Sequence, residues 1–95
     1  MKIAINRCYG GFGLSDRAMV RLKELWPDCP DYIGMSSEDE IRANPWLVRV
    51  IEELGDEAND WHSSLSIVDV PDGIEWEICE YDGLEHVAEK HREWR

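Results

Sequence analysis

SLSIVDVPDGIEWEICEY, residues 64 to 81, decides what kind of fold this chain adopts. Two β-rich runs flank Pro71, Asp72 and Gly73, three residues that supply turn chemistry, so the stretch predicts two strands joined as a hairpin. In the second run Ile74, Trp76 and Ile78 alternate with Glu75, Glu77 and Cys79. That period of two gives one apolar face for a core and one largely acidic face for water.

The segments on either side change period. Ile3, Ala4 and Ile5 form a short apolar run ended by glycines, as expected of a buried strand. From 16 to 26, Ala18, Met19, Leu22, Leu25 and Trp26 recur at helical spacing behind Ser15 as N-cap and Asp16 in the first turn. Pro27 and Pro30 stop that helix, and the chain through SSEDE reads as polar and irregular. NPWLVRVIEELG, residues 44 to 55, carries Asn44 as N-cap, Pro45 at the first helical position and Gly55 as a left-handed C-terminal residue. Its buried stripe is Leu47, Val48, Ile51 and Leu54. DGLEHVAEKHREW reads as a last helix, with Asp82 and Glu85 as a capping box, Leu84, Val87, Ala88 and His91 on one stripe, and Lys90, His91 and Arg92 at its negative end. The order βααββα predicts a single α+β domain over residues 1 to 95, with a small, mostly antiparallel sheet covered by helices on its Ile74, Trp76 and Ile78 face.

Ninety-five residues make one domain, able to bury roughly 60 to 70 per cent of its unfolded surface. Three cysteines without zinc spacing give no disulfide framework, while five tryptophans can supply apolar area. The start MKIAINRC lacks a signal-peptide core and no apolar run reaches the length of a membrane span, so a cytoplasmic protein without membrane contact is expected. The net charge of −11 is unevenly placed. Residues 1 to 49 hold seven basic and seven acidic residues, whereas 50 to 95 hold three basic against fourteen acidic, so the second half carries the whole excess. That balance disfavours direct nucleic-acid binding, which draws on cations, and favours a basic partner surface or plain solubility.

Gly10, Gly11 and Gly13 lie between the first strand and the first helix, where backbone N–H groups can converge on an anion. With Arg7, Ser15 and Arg17 they make a candidate phosphate or nucleotide site, although the spacing matches neither a dinucleotide loop nor a P-loop. The competing reading is a tight turn, in which at least one of these glycines takes a positive φ. Cys8, His62, His86 and His91 have no metal-ligand spacing and no recognisable nucleophile–base pair, so they are read as structural, with no catalytic residue, metal or cofactor expected. Trp46, Trp61 and Trp94 are assigned mainly to the core. Glu75, Glu77, Glu80, Asp82 and Glu85 crowd one stretch. They read either as a solvated face or as a carboxylate array that competes for the Lys/Arg groove of a nucleic-acid enzyme.

The opening MKIAINRCYGGFGLSD, the closing EWEICEYDGLEHVAEKHREW and the central LVRVIEELG together resemble a group of small tailed-bacteriophage and prophage proteins that share an MKI/CYGGFGLS start and an EWEI/EYDG end. Residues 28 to 43 take no part in the likeness. The resemblance implies a phage product made in a bacterial cytoplasm and, by analogy, one that interferes with a host defence component.

Overall fold

The computed structural model describes residues 1–34 and 39–90. The chain is an α+β domain of β1 (Lys2–Asn6), α1 (Asp16–Leu25), a single turn α2 (Asp39–Arg42), α3 (Pro45–Leu54), a 3₁₀ turn (Gly55–Ala58), β2 (Leu65–Asp69), β3 (Trp76–Tyr81) and β4 (Leu84–Glu89). Both helices form for the reasons the sequence offers. The Ser15 hydroxyl accepts from the Ala18 N–H, the Asn44 side chain accepts from the N–H groups of Trp46 and Leu47, and Gly55 ends α3 with φ of 57°. Ala18 and Leu22 of α1 meet Leu47, Val50 and Ile51 of α3 over Phe12 and Ala4. This core buries β1 on both faces, since Ile3, Ala4 and Ile5 are all inaccessible. Burying a side chain the size of Leu or Ile stabilises by about 1.5–3 kcal/mol, so each of these residues contributes appreciably to the folding energy.

The strands pair antiparallel, but not as the 64 to 81 stretch predicts. β1 pairs with β2, in a register that sets Lys2 opposite Asp69 and Asn6 opposite Leu65. β3 pairs with β4, with Trp76 opposite Glu89 and Tyr81 opposite Leu84. The turn at Pro71–Gly73 therefore carries the chain from one two-stranded sheet to the other rather than closing a hairpin.

The final segment corrects the expected helix: Leu84–Glu89 is a strand. Asp82 and Gly83 both take positive φ, 50° and 91°, as a two-residue type I′ hairpin turn demands, and Asp-Gly is its usual sequence. Asp82 is a turn residue rather than an N-cap. Asp39–Arg42 also departs from the irregular reading by forming a helical turn. His91, Arg92 and Trp94 lie outside the described residues.

Surface ion pairs tie α1 to α3 through Arg21 and Glu53 at 2.8 Å, α1 to the loop that follows it through Lys23 and Asp31 at 2.7 Å, and β1 to α3 through Lys2 and Glu52 at 2.9 Å. Hydrogen bonds from Lys23 and Arg21 hold the carboxyls of Asp31 and Glu53 below their ordinary values. A folded-state value below the unfolded one adds stability that is present above the ordinary carboxylate range, near pH ~4. It is lost as pH falls through the lowered values. The Lys23→Gln variant should therefore lose a small part of the acid-side fall in urea midpoint, and the loss should shrink in high salt; an unchanged profile at low salt would contradict the assignment.

Candidate functional site

Two polar clusters, one buried and one partly buried, lie along the open edge and at the end of β1. In the first, Arg42 and Glu85 form an ion pair at 2.6 Å and 2.9 Å, with side chains 2% and 1% exposed. The guanidinium also donates to the carbonyls of Ala4 and Gly34 and lies 3.7 Å over the Phe12 ring, while Glu85 accepts from the Asn6 N–H at 2.9 Å. Asn6 and Ala4 alternate with the residues of β1 that bond to β2, so their backbone groups point to the strand's open edge. The ion pair occupies that edge in place of another strand. Asp39 does the same for β3 by accepting from the Ile78 N–H at 3.1 Å.

In the second cluster, Asn6 is fully buried at the end of β1. Its amide donates to the carbonyls of Cys8 and Gly83, and its oxygen accepts from the Ser64 N–H at 2.8 Å. One side chain thus joins three turns: the glycine loop after β1, the 60–64 turn before β2 and the Asp82–Gly83 turn of the last hairpin. The Cys8 sulfur sits 3.1 Å from the His62 carbonyl and 3.4 Å from the Asn6 oxygen, with one proton to share between them. Ser63 donates to the Gly13 carbonyl at 2.7 Å and accepts from the Asp60 N–H. Asp60 also faces the His62 Nε2 at 3.2 Å, and the His62 ring stands edge-on to Trp61. Nδ1 of His62 is buried with no hydrogen-bond partner among the described residues.

The glycines of the first loop serve this packing. Gly11 has φ of 94°, as expected of a tight turn. A Cβ on Gly10 would overlap the His62 carbonyl. Gly83 combines both demands, since its φ is 91° and a Cβ there would lie 2.5 Å from the Tyr9 oxygen and 2.6 Å from the Gly11 nitrogen. Gly83→Ala is expected to cost roughly 1–3 kcal/mol and to shift the Tyr9 and Gly11 amide resonances. An unaltered melting temperature would contradict this close approach.

The proposed anion ligands do not converge. Arg17 pairs with Glu57 at 3.1 Å, the Ser15 hydroxyl is spent on Ala18 and on the Glu57 carbonyl, and the Arg7 side chain is exposed. The cavity beside Gly13, about 210 Å³, is bordered by Asp16, Asp31 and Asp60, with no Lys or Arg in its wall among the described residues. Three carboxylates there repel a phosphate. Among the described residues no group of three His, Cys, Asp or Glu side chains is placed to hold a metal ion.

The five acids are also dispersed. Glu85 is withdrawn into the core with Arg42, correcting its expected place on a solvated surface. Glu80 lies on the same face of the hairpin as Glu85, directly opposite it, and accepts from the Gly83 N–H at 2.6 Å. Glu77 lies on the other face with Cys79 and Tyr81, Asp82 is at the turn, and Glu75 precedes the strand. Trp61, assigned to the core from sequence, is 90% exposed. Sequence reasoning missed Arg42 altogether, because nothing in IRANP separates an arginine that will be buried from one that will not. Asn6 did carry a signal, a polar residue closing a run of buried apolar ones.

No protein-family model, curated protein or solved structure matches the chain. Among the described residues no helix is long and apolar enough to cross a membrane.

Proposed function

We propose that this is a small protein-binding module that offers its acidic hairpin to a basic surface on another protein. The observation that carries the reading is where charge is left uncompensated. In the first half Lys2, Arg17, Arg21, Lys23 and Arg42 all take part in ion pairs, four of them with Glu52, Glu57, Glu53 and Glu85 of the second half. Glu75, Glu77, Glu80, Asp82 and Glu89 have no ion pair among the described residues, and Lys90 is the one described base on the same hairpin. A surface of that kind repels nucleic acid and attracts Lys and Arg, chiefly by steering association. The resemblance to phage proteins makes a basic groove of a host nucleic-acid or defence enzyme in the bacterial cytoplasm the partner in view. The dispersal of the acids over both faces and the turn fits a general electrostatic attraction better than a regular phosphate mimic.

The test is capture from bacterial lysate at low and high salt with the parent chain and with Glu75→Lys/Glu77→Lys. Expected is a basic protein held at low salt, released at high salt, and bound by the variant with an association rate slower by about tenfold or more, at unchanged melting temperature. Equal binding by the variant would remove the hairpin's charge from the explanation.

A further inference from the structure

The three turns joined by Asn6 each carry a large aromatic side chain in solvent: Tyr9 at 67%, Trp61 at 90% and Tyr81 at 73% exposure. Single exposed aromatics are ordinary, but these are three of the four most exposed large apolar residues described, and they occupy turns whose backbones touch. Gly10 lies against the His62 carbonyl and Gly83 against Tyr9 and Gly11, so Tyr9 is flanked by the turns bearing Trp61 and Tyr81. The backbones are fixed by the Asn6, Cys8 and Ser63 hydrogen bonds, and the Trp61 ring is steadied by its edge contact with His62. Rigid aromatic side chains on pinned turns lose little entropy on binding, which is what interface anchors require.

We infer that Tyr9, Trp61 and Tyr81 form one docking tip for an arginine- or lysine-bearing segment of a partner protein. The charge around the tip selects that occupant: Asp60 and Asp82 stand on the same turns and Glu77 on the Tyr81 face of the hairpin, with Arg7 the one cation of the glycine loop. Aromatic faces interleaved with carboxylates recognise guanidinium and ammonium groups by cation–π contact and ion pairing together. A nucleic acid or an anionic membrane would meet the same rings but be repelled by the acids.

The inference rests on the proposed binding of a basic partner and names the surface that does it. Its test is selection of a displayed library of random peptides on the full chain, followed by affinity measurement of the tightest peptide at about 0.15 M ionic strength. Expected are peptides enriched in Arg or Lys, weakened about tenfold by Trp61→Ala and several-fold by Tyr9→Ala or Tyr81→Ala, with Trp61→Phe retaining most binding. If basic peptides bind Trp61→Ala and Tyr81→Ala as well as the parent but are lost with Glu75→Lys/Glu77→Lys, the tip is overturned and the charge reading stands. If the selected peptides lack Arg and Lys, or none is enriched, the charge reading falls and the inference falls with it. Binding of anionic vesicles that depends on Trp61 would also overturn it, in favour of a membrane.

Discussion

Arg42→Ala is expected to lower the unfolding free energy by about 3–5 kcal/mol, because it leaves the Glu85 carboxylate buried without its counter-charge. Each kcal/mol moves the melting temperature of a domain this size by roughly 4–8 °C, so the variant should melt tens of degrees lower or show no cooperative transition. The loss is larger than that of the ion pair alone. The carbonyls of Ala4 and Gly34 lose a donor as well, and the Phe12 ring loses the cation above it. The double variant Arg42→Met/Glu85→Leu removes the unpaired charge and should recover part of the stability. It should not recover all, because the Asn6 N–H and the Ala4 carbonyl at the open edge of β1 stay unpartnered. Urea or thermal unfolding of the three proteins decides the matter. A loss under about 1 kcal/mol for Arg42→Ala would mean that the pair does not close the edge as described.

Asn6→Ala is expected to cost about 3 kcal/mol or more, since the carbonyls of Cys8 and Gly83 and the N–H of Ser64 all lose their partner at once. Asn6→Asp is nearly isosteric yet should be comparably harmful. It keeps an acceptor for Ser64 and sets negative charge against two carbonyl oxygens that need donors. The structural consequence is specific: amide exchange should accelerate at Ser64 and at the Asp82–Gly83 turn, while α1 and α3 keep their protection relative to the new global stability. Uniform acceleration across the chain would mean that Asn6 supports the core generally rather than binding the three turns to one another.

The helices were legible because their signals are local. Ser15, Asn44, Pro45 and Gly55 act within one turn of themselves, and Leu22, Leu47, Val48 and Ile51 bury the faces that their spacing indicates, with Val50 buried beyond the expected stripe and Leu54 only partly buried. The α+β class and the antiparallel sense of the strands followed from the order and pattern of the elements, but the strand partners did not. The last element was misread because Asp82 and Glu85 imitate a capping box, and Leu84, Val87 and Ala88 fall at a spacing that a helix could also use. The Asp-Gly pair between WEICEY and LEHVAE was the stronger signal, and it outranks the Pro-Asp-Gly turn at 71 to 73 as the centre of a hairpin. The acids of that region could not be sorted by sequence alone. Whether Glu85 faces water or Arg42 depends on which edge β4 approaches, a long-range fact with no local trace. The same holds for Trp61, whose exposure follows from the turn that carries it.

The hairpin and the turns beside it, rather than the helical face, are proposed to meet the basic partner. Backbone amide shifts recorded while the tightest Arg- or Lys-bearing displayed peptide is added test it most directly. The expected result is perturbation confined to the glycine loop around Tyr9, to the turn at Asp60–His62 and to the hairpin between Glu75 and Asp82, with α1 and α3 unmoved. Perturbation centred on Val20, Glu24 and Glu53, on the exposed side of the helices, with the turns silent, would contradict it.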